Sequence, residues 1–276
     1  MITGLLKILR PVNGLISLLT VWISYIIAGG GYGDFRGLSA GAAAFFFAGF
    51  ANSVNDIADV EIDRINKPSR PLPAGAISVK AAVYESIAVG VIALLFSIYL
   101  GFGNVVIALI ALPGMLLYNL RLKRTVLLGN ITVSMIASLA FLYGGAAYEN
   151  IGPTVFPAVL AFLLHLGREV IKDIEDARGD SMAGARTLPV ARGMRFSRLT
   201  AAIILVILLV TTFIPFLMDL YGFRYLIVVA VVDAIVLYII LQQLFAKRCS
   251  DKLHSLLLKV AMPIGILSVY LGTCFP

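Results

Sequence analysis

The chain has 276 residues, is 60% hydrophobic and only 13% charged, and has a mean hydropathy of +0.98. That composition excludes an ordinary soluble domain. The formal net charge of +7 comes with no basic tail and no stacking motif, which excludes a nucleic-acid footprint and leaves an integral membrane protein.

Lys7 and Arg10 precede a first apolar run over about 11–29, too long for a signal-peptide core and read as a retained anchor. Pro11 suits a first helical turn, and Asn13 just inside the bilayer could hydrogen-bond a substrate. A second span over about 38–58 runs into the polar stretch Asn52–Pro73, NSVNDIADVEIDRINKPSRPLP. Further spans are expected over about 79–100, 103–120, 128–147, 153–176, 197–218, 223–246 and 256–275, making nine. Pro113, Pro215 and Pro263 lie inside apolar runs and predict kinks.

Positive charge orients these spans. Of the 22 basic residues, only Arg36 and Arg224 fall on one side, and Arg168 and Lys172 lie inside the sixth span. The rest, Lys247 and Arg248 among them, fall on the other side. The expectation is a multi-pass protein of the cell membrane with its N-terminus and polar loops cytoplasmic and its C-terminus external. Cys249 and Cys274 then fall on opposite sides and are expected to be free thiols.

The stretch 56–63, DIADVEID, is echoed by 173–180, DIEDARGD. Asp56, Asp59 and Asp63 recur at one constant offset as Asp173, Asp176 and Asp180, and Asn52 is matched by Glu169. Arg70-Pro-Leu-Pro73 is matched by Arg186-Thr-Leu-Pro189. At about 100° per residue, Asn52, Asn55, Asp56, Asp59 and Asp63 span an arc of roughly 100° on one helical face. The second set, starting at Glu169, spans roughly 60°, with Gly179 a candidate helix end. The expected fold is all-α, with two four-helix repeats and an appended ninth helix around a central cavity open to the cytoplasmic side. Residues 1–276 then form one transmembrane domain, with acidic motifs at 52–73 and 169–189.

Carboxylates and amides without a Cys or His cluster favour Mg²⁺ or a similarly hard ion over zinc. Mg²⁺ commonly combines one or two carboxylates with ligand phosphates, so two acidic walls suit two or more ions bridging a diphosphate. Lys67, Arg70, Lys123 and Arg186 are candidate diphosphate contacts, although each could equally be a positive interfacial anchor. Tyr118 stands shortly before Lys123, and its ring could face a developing carbocation. His165 reads as a core histidine, and Asp219 and Asp233 receive no role.

These residues resemble the UbiA superfamily of intramembrane prenyltransferases, over nearly the whole chain. The strings NDIADVEIDRINKPSRPLPAG and REVIKDIEDARGDSMAGARTLP are most similar to the archaeal group that makes digeranylgeranylglyceryl phosphate. The resemblance implies Mg²⁺-dependent transfer of a geranylgeranyl group from its diphosphate to the hydroxyl of geranylgeranylglyceryl phosphate, in ether-lipid and hence phospholipid biosynthesis. It maps the N-x-x-x-D-x-x-x-D motif onto Asn55, Asp59 and Asp63, and D-x-x-x-D onto Asp176 and Asp180, with Asp56 and Asp173 as accompanying acids. Tyr118 and Lys123 match the pair after the fourth helix, with variable spacing. Glu169 stands where several relatives have Asp, and with Asn13 and Asn52 is a candidate acceptor contact. Partners are then a prenyl diphosphate, a phosphorylated lipid acceptor and the bilayer, with no nucleic acid; oligomeric state is left open. Within the same fold an aromatic quinone precursor or a porphyrin could replace the lipid acceptor. The CDP-alcohol phosphotransferases need an Asp-Gly and an Ala-Arg in a single motif, which neither stretch has. A cation transporter would place its acids at mid-membrane rather than at two helix ends.

Overall fold

A computed structural model describes residues 2–182, 184–246 and 249–275; Lys247 and Arg248 of the charge map lie outside them. The helices are α1 (Ile2–Leu9), α2 (Pro11–Ile27), α3 (Phe35–Ala58), α4 (Val60–Asn66), α5 (Val79–Leu100), α6 (Phe102–Leu120) and α7 (Leu128–Ala147), followed by α8 (Val155–Met182), α9 (Leu188–Arg192), α10 (Met194–Leu217), α11 (Phe223–Phe245) and α12 (Asp251–Cys274). No strand occurs among the described residues. Eight of these helices, α3, α5, α6, α7, α8, α10, α11 and α12, are long and apolar enough to cross a bilayer. The protein is a multi-pass membrane protein. At 17 residues α2 is apolar but shorter.

Local chemistry sets several helix starts. Pro11 opens α2, and the Ser78 and Ser250 hydroxyls cap α5 and α12 by accepting from the Ala81 and Leu253 N–H groups. In lipid the usual inside-out rule is relaxed: Ile203, Val206, Ile207, Val210, Phe213 and Leu217 form an exposed apolar stripe along α10. Such a face is solvated by acyl chains rather than water.

The chain forms two compact units, one of residues 1–120 and 139–154 and the other of residues 121–138 and 155–276. Each acidic motif falls in a different unit, and α7 is divided between them. In the first unit α3 packs on α2, α5 and α6, through small residues that let backbones approach: Ala40, Ala43, Ala44, Ala93 and Ala108 are all buried. Gly144 is one such contact, since a Cβ there would lie 2.5 Å from the Val21 carbonyl oxygen. Arg36, at the start of α3, donates to Leu100 O (2.7 Å) and Ala147 O (3.1 Å), satisfying carbonyls left over at the ends of α5 and α7. A smaller apolar cluster of Ile8, Leu72, Ile77 and Ala82 fastens the loop after α4 to α1 and α5.

In the second unit α8 packs on α10 and α12, α10 on α11, and α11 on α12. Val170, Ile171, Leu205, Val236, Ile239 and Leu258 are fully buried between them. A polar clasp closes one end: Arg198 grips both carboxylate oxygens of Asp251 (3.0 and 2.8 Å) and also reaches Gln243 (2.8 Å), which in turn contacts His254 Nδ1 (3.0 Å). Cys249, like Cys274, is a free thiol, and lies against Arg198.

Candidate active site

In the first unit the acidic motif crosses the junction of two helices. Helix α3 ends at Ala58, Asp59 adopts φ −96° and ψ 3°, and α4 resumes at Val60. Hydrogen bonds of the i to i−4 kind persist across this point (Asp59 N–H to Asn55 O, 3.0 Å; Asp63 N–H to Asp59 O, 2.8 Å), so the helical path continues through it. The face expected over 52–63 is thus kept, with a local distortion at Asp59.

Asp56 and Asp63 are buried, each 4% exposed, and are compensated by arginine. Arg70 Nη1 sits 3.2 Å from Asp56 Oδ1 and also pairs with Asp63 Oδ2; Arg10 pairs with the same Asp56 oxygen. Arg70 is held in place because Leu72, two residues on, is anchored in the apolar cluster beneath the loop. Arg10 lies at the junction of α1 and α2 in the left-handed region (φ 50°, ψ 70°), uncommon for a residue with a side chain. Asn52 Nδ2 donates to Leu9 O at 3.0 Å, docking the same junction onto α3. Ser53 donates to Glu85 at 3.0 Å on the neighbouring face. Asn55 and Asp59 are half-buried, as is Tyr118 in the last turn of α6, while Lys67 and Asn13 are exposed. The structure thus brings Asp56, Asp63 and Arg70 together and adds Arg10, whose role sequence reasoning missed because the contact spans 46 residues of chain.

In the second unit α8 runs helically through Gly179 to Met182, past the end expected from hydropathy. Glu169, Asp173, Asp176 and Asp180 therefore share one regular face. Asn130 Nδ2 donates to Asp173 Oδ2 at 2.8 Å, and Arg168 Nη1 to Glu169 Oε1 at 2.6 Å. Asp176 is exposed and Asp180 half-buried; the charges acting on Asp180 include those of Asp176, Lys123 and Lys172. Lys123 is carried on the short 3₁₀ turn Leu122–Arg124, onto which α7 begins so closely that a Cβ at Gly129 would lie 2.6 Å from Leu122 O. The Arg186 N–H donates to Arg124 O (3.0 Å), tying the segment after α8 to that turn, while the Arg186 side chain is exposed. Asn130 and Arg168 went unassigned in the sequence; Arg168 could have been noticed as an arginine inside an apolar span, next to an acid.

Among the described residues no three His, Cys, Asp or Glu side chains gather into a ready metal cage. The donor chemistry nevertheless fits Mg²⁺: an exposed Asp176 and a half-buried Asp180, one helical turn apart, offer hard oxygens, and this ion needs few protein ligands when phosphates supply the rest.

Known proteins resemble this chain along its whole length. A digeranylgeranylglyceryl phosphate synthase from Methanothermobacter thermautotrophicus is 35% identical over 271 residues, covering 97% of this chain and 95% of the relative. Another from Methanoculleus marisnigri is 37% identical over 239 residues, covering 86% and 85%. A solved structure of digeranylgeranylglyceryl phosphate synthase matches with a TM-score of 0.86 at 30% identity, covering 99% of this chain and 98% of that one. A UbiA homologue from Archaeoglobus fulgidus, solved bound to GPP and Mg²⁺, shares the fold with a TM-score of 0.71 at 19% identity, covering 98% and 99%. The UbiA prenyltransferase family pattern matches residues 17–262, and the chain belongs to that family as a membrane-embedded prenyltransferase.

Proposed function

We propose that this prenyltransferase moves a geranylgeranyl group from geranylgeranyl diphosphate to the free hydroxyl of geranylgeranylglyceryl phosphate. The first carbon of the donor loses its bond to diphosphate and gains one to the acceptor oxygen, whose proton passes to a carboxylate of the acidic motifs or to the leaving diphosphate. The products are digeranylgeranylglyceryl phosphate and diphosphate, within archaeal ether-lipid synthesis. The observation that carries this reading is the near-full-length likeness to digeranylgeranylglyceryl phosphate synthases in both sequence and fold.

Mg²⁺ is the cofactor in this reading; when bound, it neutralises the charge that grows on the leaving diphosphate. Its oxygen donors are Asn55, Asp59, Asp63, Asp176 and Asp180, with Asp56 and Asp173 beside them. The Archaeoglobus homologue bound to GPP and Mg²⁺ supports Mg²⁺ as the ion in this reading. Lys67, Arg70, Lys123 and Arg186 contact diphosphate oxygens, and Tyr118 turns its ring to the allylic carbon as positive charge develops. Asn13, Asn52 and Glu169 address the acceptor. Arg70 pairs with Asp56 and Asp63, so in this scheme it exchanges a carboxylate for a diphosphate oxygen as substrate enters. The same reading takes α2 as the first of nine spans in one domain, with the N-terminus and both acidic motifs cytoplasmic and the C-terminus external.

The test is one assay of the purified protein in detergent with geranylgeranyl diphosphate. Geranylgeranylglyceryl phosphate, an aromatic quinone precursor and a porphyrin are offered together, and product is identified by mass. Exclusive alkylation of the aromatic or porphyrin acceptor overturns the proposal.

A further inference from the structure

Helix α8 carries more than its acidic face. Around its circumference, at about 100° per residue, the buried Leu164, Gly167, Val170, Ile171 and Ile174 occupy roughly 120°. The acids Glu169, Asp173, Asp176 and Asp180 occupy roughly 60° on the far side. The sector between the packed face and one edge of the acids holds His165, Arg168 and Lys172, with Glu175 at its edge beside the packed face. Arg168 and Lys172 thus stand as a basic pair beside the acidic face.

Arg168 is the unusual member. An arginine inside an apolar span is costly and normally marks a functional contact. Its side chain is 20% exposed, and its one ion pair among the described residues is with the adjacent Glu169. Its Nε–H is buried and has no hydrogen-bond partner among the described residues. A guanidinium has five donors in a planar fork, and a single carboxylate contact on Nη1 leaves most of them for a second, multidentate anion. Phosphate, like carboxylate, fits such a fork, and phosphate is the anionic group of the proposed acceptor.

We propose that Arg168, flanked by Lys172, is the subsite for the phosphate of the prenyl acceptor, and so selects a phosphorylated acceptor over a neutral or aromatic one. The inference rests on the function proposed above. Position favours it. Arg168 lies eight residues before Asp176, the nearer of the two metal donors on α8, about 12 Å along the helix axis and about 80° around it. In geranylgeranylglyceryl phosphate the phosphate and the free hydroxyl sit on neighbouring glycerol carbons. An acceptor whose phosphate is shared by Arg168 and Lys172, the latter four residues or about 6 Å before Asp176, therefore presents its hydroxyl within about one helical turn of that acid. Glu169 orients the guanidinium until the phosphate arrives.

The experiment compares geranylgeranylglyceryl phosphate with geranylgeranylglycerol, which lacks only the phosphate, in wild type, Arg168→Gln and Arg168→Lys. Wild type is expected to prefer the phosphorylated acceptor. Arg168→Gln should cut that preference about 10- to 100-fold, through the acceptor KM, with the KM for geranylgeranyl diphosphate changed less than about twofold. Arg168→Lys, which keeps charge and loses the fork, should cut it several-fold, and decides the matter alone if the Gln variant does not fold. Wild-type preference in the variants, or a parallel rise in the diphosphate KM, overturns the assignment. If wild type does not consume the phosphorylated acceptor, the proposed function fails separately. The subsite is then read from thermal stabilisation by inorganic phosphate, and equal stabilisation of wild type and Arg168→Lys refutes it.

Discussion

The pairing of Arg70 with Asp63 lends itself to a double-mutant cycle, using Arg70→Ala, Asp63→Asn and the combination. The side chains are 23% and 5% exposed, so the pair is shielded from water mostly on the carboxylate side. At an effective dielectric of about 20, unit charges about 4 Å apart attract by roughly 4 kcal/mol. Desolvation of the carboxylate and partial exposure of the guanidinium return part of this, leaving a coupling of about 1.5–3 kcal/mol. The molecule contains its own control in Arg64 and Glu61, a pair 2.9 Å apart whose side chains are 58% and 73% exposed. There the coupling should be below about 0.5 kcal/mol. The free energies come from reversible SDS titration of each variant in mild detergent. Arg70→Ala should also cost more than Asp63→Asn, because it strips a partner from Asp56 as well. If the Arg70–Asp63 coupling is no larger than that of Arg64–Glu61, the view that this motif is held by buried charge compensation is wrong.

Three further outcomes are expected. Asp176→Ala should abolish nearly all turnover while leaving the thermal midpoint within a few degrees, because this carboxylate is exposed; near-normal turnover refutes its assigned role. Chelation should stop product formation and added Mg²⁺ should restore it, whereas activity that survives exhaustive chelation removes the metal from the scheme. Gly144→Ala should lower the thermal midpoint of the purified protein, because the new methyl would stand 2.5 Å from the Val21 carbonyl oxygen; an unchanged midpoint would mean that α2 and α7 give way there at no cost.

Hydropathy located the long helices well, since runs of apolar residues have one stable use in a bilayer: α5 and α7 begin and end where the apolar runs do. It misplaced the end of α8, because polarity ends an apolar run whereas helix formation tolerates the charged residues and Gly179 that follow. The acids of both motifs were legible from their repeated spacing. The distortion at Asp59 was not, as neither proline nor glycine marks it. Nor were Arg10 with Asp56, or Asn130 with Asp173, legible, since those contacts join residues 46 and 43 positions apart and depend on packing. Of the two basic candidates after α4, Arg70 is folded against the acids and Lys67 points outward, a distinction that Leu72 in its apolar cluster makes.

Arg36 and Asp56 occupy the same helix, α3, twenty residues and so about 30 Å apart. At one extremity Arg36 is bolted to the last carbonyls of two neighbouring helices. At the other, the acids are clasped by arginines from a helix junction and a loop, supports that a competing anion can draw away. The two ends of α3 thus differ in what holds them: neutral carbonyls fix Arg36, whereas ion pairs, which salt or a competing anion weakens, fix Asp56.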